Sequence, residues 1–216
     1  MRFVTQHTQI PVPYVWLQVQ IFDVYYTFMT RINGKCLQDI WPNLSHSDRE
    51  LIVRQLRNFM QQLRSIPPPP RSNICSILGG RVCCYRLFDR ELSGPFRDEQ
   101  HLNAQLRNGR SIDTFPPEVA VSHNKIHPLV LTHNDFFPRN IMVSGTNVTA
   151  VLDWECAGWF PSHWEYCKSV NWGKSWRPEL LEWVPWVEQI IEPFYEEAKA
   201  DEVLLKMIFQ PTQHIP

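Results

Sequence analysis

Apolar and polar positions alternate through residues 14–21: Val15, Leu17, Val19 and Ile21 fall on one face, Trp16, Gln18 and Gln20 on the other. Successive side chains of a strand point to opposite faces, so this period of two predicts a half-buried strand. Phe22-Asp23 supplies a short turn and residues 24–29 a second strand. A two-stranded hairpin standing alone is marginal in water, and an open edge on it is a pairing liability. Upstream, residues 1–8 read as the end of a helix that Pro11 and Pro13 break. Downstream the period changes. Ile52, Leu56, Phe59, Met60 and Leu63 recur at helical spacing behind Ser47-Asp48-Arg49-Glu50, a capping-box pattern. They predict a core-facing helix of about five turns. It must end before Pro67 to Pro70, which is extended.

The second half of the chain is read the same way. Residues 74–87 fit two short strands around Gly79-Gly80 or irregular chain, and residues 98–106 a short helix. Three apolar runs follow, at 129–131, 141–143 and 148–152. Ser144-Gly145-Thr146-Asn147 separates the last two and is a turn signal, so they predict a β-hairpin. Pro178 suits the first turn of a helix continued by residues 179–191, with Pro185 marking a kink or a restart. Residues 201–209 read as a last helix.

Four polar groups flank that second hairpin: His133, Asp135, Asn140 and Asp153. Asn140 precedes its first strand and Asp153 follows its second. Antiparallel pairing brings such ends together, with cross-strand partners roughly 5 Å apart at Cβ. An amide oxygen and a carboxylate at that separation can share one hard cation, because Mg²⁺ takes oxygen ligands at about 2.0–2.1 Å. Asp135, on the preceding loop, faces whatever the metal holds. An unperturbed aspartate is ionised at neutral pH and can accept a hydrogen bond from an attacking hydroxyl. His133-x-Asp135-x-x-x-x-Asn140, a hairpin and then an Asp is the spacing of a kinase catalytic loop.

The segment H-N-D-F-F-P-R-N-I-M-V, followed by V-L-D-W-E, resembles the aminoglycoside phosphotransferase and choline kinase family. Its usual form is H-G-D-x-x-x-x-N, with D-W-E or D-x-E further on. Ile10-Pro-Val-Pro, Met29-Thr-Arg-Ile-Asn-Gly and Gly94-Pro-Phe-Arg-Asp-Glu agree with it, so the resemblance covers most of the chain. It implies an α+β, protein-kinase-like fold: a mostly helical C-terminal catalytic lobe over residues 35–216, and a remnant of the N-terminal lobe and hinge over residues 1–34. It implies transfer of the ATP γ-phosphate to a hydroxyl of a small molecule. Asp135 would accept the hydroxyl proton, and Asn140 and Asp153 would hold Mg²⁺. His133 would brace the loop, and Arg139 would pair with a nearby acid or phosphate. Hinge backbone at Met29, Thr30 and Ile32 would contact adenine, although the residues alone equally fit a strand running into a turn. Two departures stand out. Asn134 replaces the usual Gly. The family's phosphate-covering loop and strand Lys have no counterpart, since no Lys precedes Lys35. The resemblance therefore implies an incomplete kinase: a truncated gene model, a fragment or a degenerate protein. Beside the phosphotransferase stand two other readings, a non-catalytic pseudokinase that binds nucleotide, and a metal-dependent hydrolase using His133, Asp135 and Asp153.

Composition bounds these readings. The chain has 216 residues, 44% of them hydrophobic, enough for one domain or two closely joined lobes with a real core. A net charge of −1 leaves no footprint for nucleic acid or an anionic membrane. None of the six Cys forms C-x-x-C, and there is no N-terminal signal sequence and no apolar run of membrane-spanning length, so a cytoplasmic protein with reduced thiols is expected. Asn43-Leu-Ser and Asn147-Val-Thr match glycosylation sequons, which carry little weight without such a signal. His123 and His127 stand at the i,i+4 spacing of some zinc sites with no third ligand at a supporting interval, so no metal role is assigned to them. Seven of the nine Trp, at 154, 159, 164, 172, 176, 183 and 186, follow Asp153, with Glu155 and Glu165 among them. Core packing accounts for them. The sharper alternative is an aromatic, acidic pocket for a cationic substrate.

Overall fold

A computed structural model describes residues 1–70, 73–84, 86, 93–176 and 180–209. In chain order the elements are α1 (Arg2–His7), β1 (Val15–Ile21), β2 (Val24–Met29), β3 (Lys35–Cys36), α2 (Leu37–Ile40), α3 (His46–Ser65), β4 (Cys75–Ser76), α4 (Glu99–Leu106), α5 (Pro117–His123), β5 (Leu129–Thr132), β6 (Ile141–Ser144), β7 (Asn147–Val151), β8 (Gly158–Pro161), α6 (Trp164–Trp176), α7 (Val184–Ile190) and α8 (Tyr195–Phe209). Short 3₁₀ turns occupy Trp41–Asn43, Ile112–Thr114 and Pro138–Asn140. The architecture is α+β, with three small antiparallel sheets: β1-β2, β3-β6-β7 and β4-β8-β5.

Helix α3 carries the main core. Its stripe Ile52, Leu56 and Leu63 is fully buried and shares one cluster with Val187 and Ile190 of α7, Leu131 of β5 and Val151 of β7. Its cap lies two residues earlier than the capping box at Ser47 implies. Ser45 is the N-cap, and its Oγ accepts the Asp48 N–H at 3.1 Å. Ser45 alone has the extended backbone a cap needs, whereas Ser47 already lies inside the helix. A second cluster gathers Leu102, Phe115, Val119, Phe160, Trp164 and Leu204, so α4, α5 and α8 close over β8. Gly158 lets β8 lie flush on β4, since a Cβ there would sit 2.4 Å from the Cys75 carbonyl oxygen.

Pro185 restarts a helix. It sits in the first turn of α7, where its missing N–H costs nothing. The last helix begins at Tyr195, six residues before the expected start, because Glu196 and Glu197 suit a first turn. The expected strands in residues 74–87 reduce to β4 and the isolated bridges Ile74↔Phe96 and Val82↔Ser93. Pro178 and Glu179, the expected helix start, lie outside the described residues, as do residues 85 and 87. Trp154, Trp159, Trp164, Trp183 and Trp186 are buried, in keeping with core packing, and the side chains of Trp172 and Trp176 are not among those described.

The first hairpin forms with the expected turn, pairing Ile21 with Val24 and Gln18 with Thr27. It is not half-buried. Every residue of β2 is exposed, and Trp16, Leu17, Tyr25 and Phe28 are 68%, 52%, 67% and 55% accessible on its two faces. The alternation sets the strand, but no second layer among the described residues covers the face it prepares. Apolar surface on a two-stranded sheet favours self-association. Light scattering is expected to give an apparent mass that rises with protein concentration, and Trp16→Lys with Phe28→Lys should flatten that rise. A wild-type monomer at every concentration would contradict this.

Candidate functional site

β5 delivers the chain to the loop 133–137, a 3₁₀ turn over Pro138–Asn140 follows, and β6 and β7 form the expected hairpin, pairing Ile141 with Val151. The Leu152 N–H donates to the Asn140 carbonyl at 2.7 Å, so the residues flanking the hairpin are tied together immediately before Asp153. Asp153 then adopts a left-handed backbone, φ 61°, which turns the chain out of the strand direction.

His133 is fully buried, and its two nitrogens are fixed by their partners. Nε2 lies 2.8 Å from the Leu152 carbonyl, which can only accept. Nδ1 lies 3.2 Å from the Asp135 N–H, which can only donate. The ring is therefore the neutral Nε2–H tautomer, and burial holds its pKa down to about 4. It laces the loop to the end of β7.

Asp135 is buried, with its carboxylate shared. One Arg139 nitrogen donates to both oxygens, at 2.6 and 2.7 Å, and Asn140 Nδ2 donates to Oδ2 at 2.7 Å and to the Asp135 carbonyl at 2.9 Å. Those bonds use the donor end of the Asn140 amide, and its Oδ1 takes no hydrogen bond among the described residues. Asp153 stays solvent-accessible, yet partial desolvation and then the charge of Asp135 raise its pKa. Glu155 is raised too, by partial desolvation and then by Asp153 and Asp135. Three carboxylates thus repel one another at one place, which is the electrostatic condition a divalent cation relieves. Asp153 and Asn140 supply oxygens of the type Mg²⁺ prefers, so these residues fit that ion.

Asn134 is buried with φ 66°, a conformation that Gly adopts without strain and Asn tolerates best among the others. Its side chain does more than occupy the turn. Nδ2 donates to the Cys83 and Cys156 carbonyls at 3.1 and 3.0 Å, and Oδ1 accepts from Trp164 Nε1 at 2.9 Å and Lys168 Nζ at 3.1 Å. Lys168 also bonds the Asn134 carbonyl. Glu165, fully enclosed, accepts the Asn134 N–H at 2.8 Å and the Phe136 N–H at 3.3 Å. Burial raises its pKa, and the two backbone donors pull the other way. Helix α6 thus grips the loop on both sides of Asp135. The sequence offers Glu165 only as one acid of an aromatic pocket and offers Lys168 no role; the structure buries both charges against the loop, and the signal for that is two charges set among the apolar residues of 164–170.

The hinge residues stand apart. Met29 pairs with Val15, and the Thr30 N–H and Oγ1 both go to the Tyr14 carbonyl, at 2.9 and 3.4 Å. Among the described residues no hydrogen bond joins Met29, Thr30 or Ile32 to the His133–Asp153 group. The chain just beyond them does reach it. Lys35 pairs with Val143, and the Cys36 thiol donates to the Pro138 and Arg139 carbonyls at 3.7 and 3.5 Å.

Over residues 1–183 the sequence matches the phosphotransferase enzyme family. The chain belongs to that family. A search of curated protein sequences gives no match. Among solved structures, the apo form of a thermostable mutant of aminoglycoside phosphotransferase APH(4)-Ia aligns over 94% of this chain and 71% of its own, at 17% identity and a TM-score of 0.61. The same enzyme in ternary complex with AMP-PNP and hygromycin B aligns over 94% and 71%, at 15% identity and a TM-score of 0.58. Aminoglycoside-3'-phosphotransferase of type VIII aligns over 94% and 76%, at 14% identity and 0.54. At these identities the likeness establishes the fold, which is the kinase-like fold of the family. Phosphotransferase ancestry and the constellation around Asp135 therefore coincide in one chain. No helix among the described residues is long and apolar enough to cross a membrane.

Proposed function

We propose that this phosphotransferase-family domain transfers the γ-phosphate of ATP to a hydroxyl of a small molecule. The observation that carries the reading is the closure of the hairpin that ties Asn140 to Leu152 beside Asp153, next to an Asp135 that Asn140 bonds, with partial burial and then the Asp135 charge raising the Asp153 pKa. Asp135 accepts the hydroxyl proton as the new O–P bond forms, while the bond between the γ-phosphorus and the β-γ bridging oxygen breaks and ADP leaves. Asn140 Oδ1 and the Asp153 carboxylate would hold Mg²⁺, which when bound neutralises phosphate charge. His133 holds the loop to the hairpin end. Arg139 holds Asp135 between turnovers and is placed to exchange that partner for a phosphate, since a guanidinium matches either anion. Met29, Thr30 and Ile32 are the proposed adenine contacts, at the proposed junction between a segment of N-terminal-lobe type over residues 1–34 and a catalytic lobe over residues 35–216.

The solved relatives carry hygromycin B and, in one ternary complex with ATP, streptomycin. A polyhydroxylated, cationic substrate follows for this chain by likeness, and Glu155 gives the site a further exposed negative charge. All six cysteines are free, which suits the cytoplasm, where ATP is also supplied.

The test is Mg²⁺- and ATP-dependent phosphorylation of a panel of aminoglycosides and amino sugars, followed by ADP release and mass gain of the acceptor. Transfer to any of them supports the reading. Binding of Mg²⁺·ATP with no transfer to any acceptor or to water would leave a non-catalytic nucleotide-binding module.

A pH dependence follows from the same carboxylates. Asp153 and Glu155 have pKa values raised above the ordinary 3.8 and 4.5. Between those values and the raised ones the folded chain holds protons that the unfolded chain has released. Their contribution therefore weakens stability as pH rises through that window. A divalent cation favours the ionised pair and offsets the loss. The thermal stabilisation given by Mg²⁺·ATP is expected to be larger at about pH 7 than at about pH 4.5. Asp153→Asn should remove most of that difference; an unchanged difference in the variant would count against the assignment.

A further inference from the structure

At the other end of β5, away from the catalytic loop, three side chains from distant parts of the sequence meet. Glu99 opens α4, His127 precedes β5 and His163 follows β8. The antiparallel pairing of Leu129 with Pro161 brings the last two together. Their rings lie 4.4 Å apart, centroid to centroid. Glu99 Oε1 is 2.8 Å from His127 Nδ1 and 3.6 Å from His163 Nδ1. One ligand atom from each residue falls within 4.8 Å of the other two. Ligands about 2.0–2.1 Å from a tetrahedral zinc stand roughly 3.3 Å from one another, so the two short separations bracket the required edge.

We propose that Glu99, His127 and His163 form a zinc-class metal site that clasps α4 to the β5–β8 pair. Two further observations support it. His163 Nδ1 is buried and has no hydrogen-bond partner among the described residues, although it faces a carboxylate. The second is the outer partner of His127. Its Nε2 lies 3.4 Å from Glu197 Oε1, and Lys125 holds that same carboxylate oxygen at 2.6 Å. A carboxylate on the far nitrogen of a ligating histidine fixes the tautomer and raises the ring's basicity. Glu197 stands on the outer side of the ring, so Nδ1 is the nitrogen that faces Glu99 Oε1 and the site. A metal ion here stands between His127 Nδ1 and Glu99 Oε1, and any proton that pair shares leaves to solvent as the ion binds. Two imidazoles with one carboxylate select zinc or a neighbouring transition ion over Mg²⁺. His127 and His163 are 10% and 13% exposed, so the fourth position has room for a water at the rim.

The full chain, stripped with chelator and kept in excess Mg²⁺ to occupy the catalytic loop, is titrated with Co²⁺ and then Zn²⁺. One equivalent of Co²⁺ is expected to give weak visible bands with no thiolate charge-transfer band in the near ultraviolet, and Zn²⁺ should displace it. Glu197→Gln should weaken binding by about tenfold to a hundredfold without changing the stoichiometry. His163→Ala and Glu99→Gln should weaken it further, while Asp153→Asn leaves it intact. Wild-type protein that binds no Co²⁺ overturns the site, as does a thiolate band removed by Cys→Ser. His163→Ala or Glu99→Gln binding like wild type overturns it equally. The wild-type cobalt spectrum decides the matter even if those variants fail to fold, and none of these readouts depends on phosphate transfer.

Discussion

Asp135→Asn is expected to lower phosphate transfer by about 10²–10⁴-fold, the range a positioned general base supplies. In barrier height that is about 3–5 kcal/mol. The variant should still fold. An asparagine keeps an oxygen for the Asn140 Nδ2 bond, and the Asp135 backbone bonds to His133 and Asn140 are untouched. The lost charge releases Arg139, whose side chain is 31% exposed and can turn to water. Far-ultraviolet circular dichroism checks the fold, and single-turnover kinetics with saturating ATP check the chemistry. Turnover within tenfold of wild type in a folded variant would remove Asp135 from the role of base.

The second large effect falls on stability. Glu165→Ala leaves the buried N–H groups of Asn134 and Phe136 without their acceptor. Each such orphan costs about 1–3 kcal/mol, so about 2–6 kcal/mol of folding free energy should go. For a chain of this size, that is a fall in Tm of roughly 5–25 °C. Glu155→Ala, on the exposed side of the same site, should move Tm far less, because surface changes outside such networks stay within about 0.5 kcal/mol. Glu165→Gln restores one acceptor oxygen and should recover part of the loss. Activity should fall with Glu165→Ala even well below its Tm, since both anchored amides flank Asp135. Equal Tm values for Glu165→Ala and Glu155→Ala would show that α6 does not hold the loop.

Local pattern made part of this site readable from sequence. A turn signal between two apolar runs specified the β6–β7 hairpin, and a hairpin by its geometry gathers its two flanks, hence Asn140 and Asp153. The Arg139–Asp135 pair follows from spacing along one turn. Much of the rest depends on contacts with no local period. Asn134, Glu165 and Lys168 meet because α6 packs beneath a loop some thirty positions earlier, and nothing in the residues near Asn134 announces that it would bond six partners among the described residues. Glu99, His127 and His163 are likewise joined by strand pairing alone. His123, at i,i+4 spacing to His127, instead places its Nδ1 2.8 Å from an Arg107 nitrogen. The hairpin of β1 and β2 makes the complementary point: alternation encodes a strand's two faces, but cannot say whether a second layer will cover either one.

A crystal structure of the chain with Mg²⁺ and AMP-PNP tests the central assignment most directly. The account places one metal about 2.0–2.1 Å from the Asp153 carboxylate and from Asn140 Oδ1, with the γ-phosphate facing Asp135. A nucleotide bound elsewhere, or a metal bound with Asn140 still turned wholly to Asp135 and Asp153 unliganded, would contradict it.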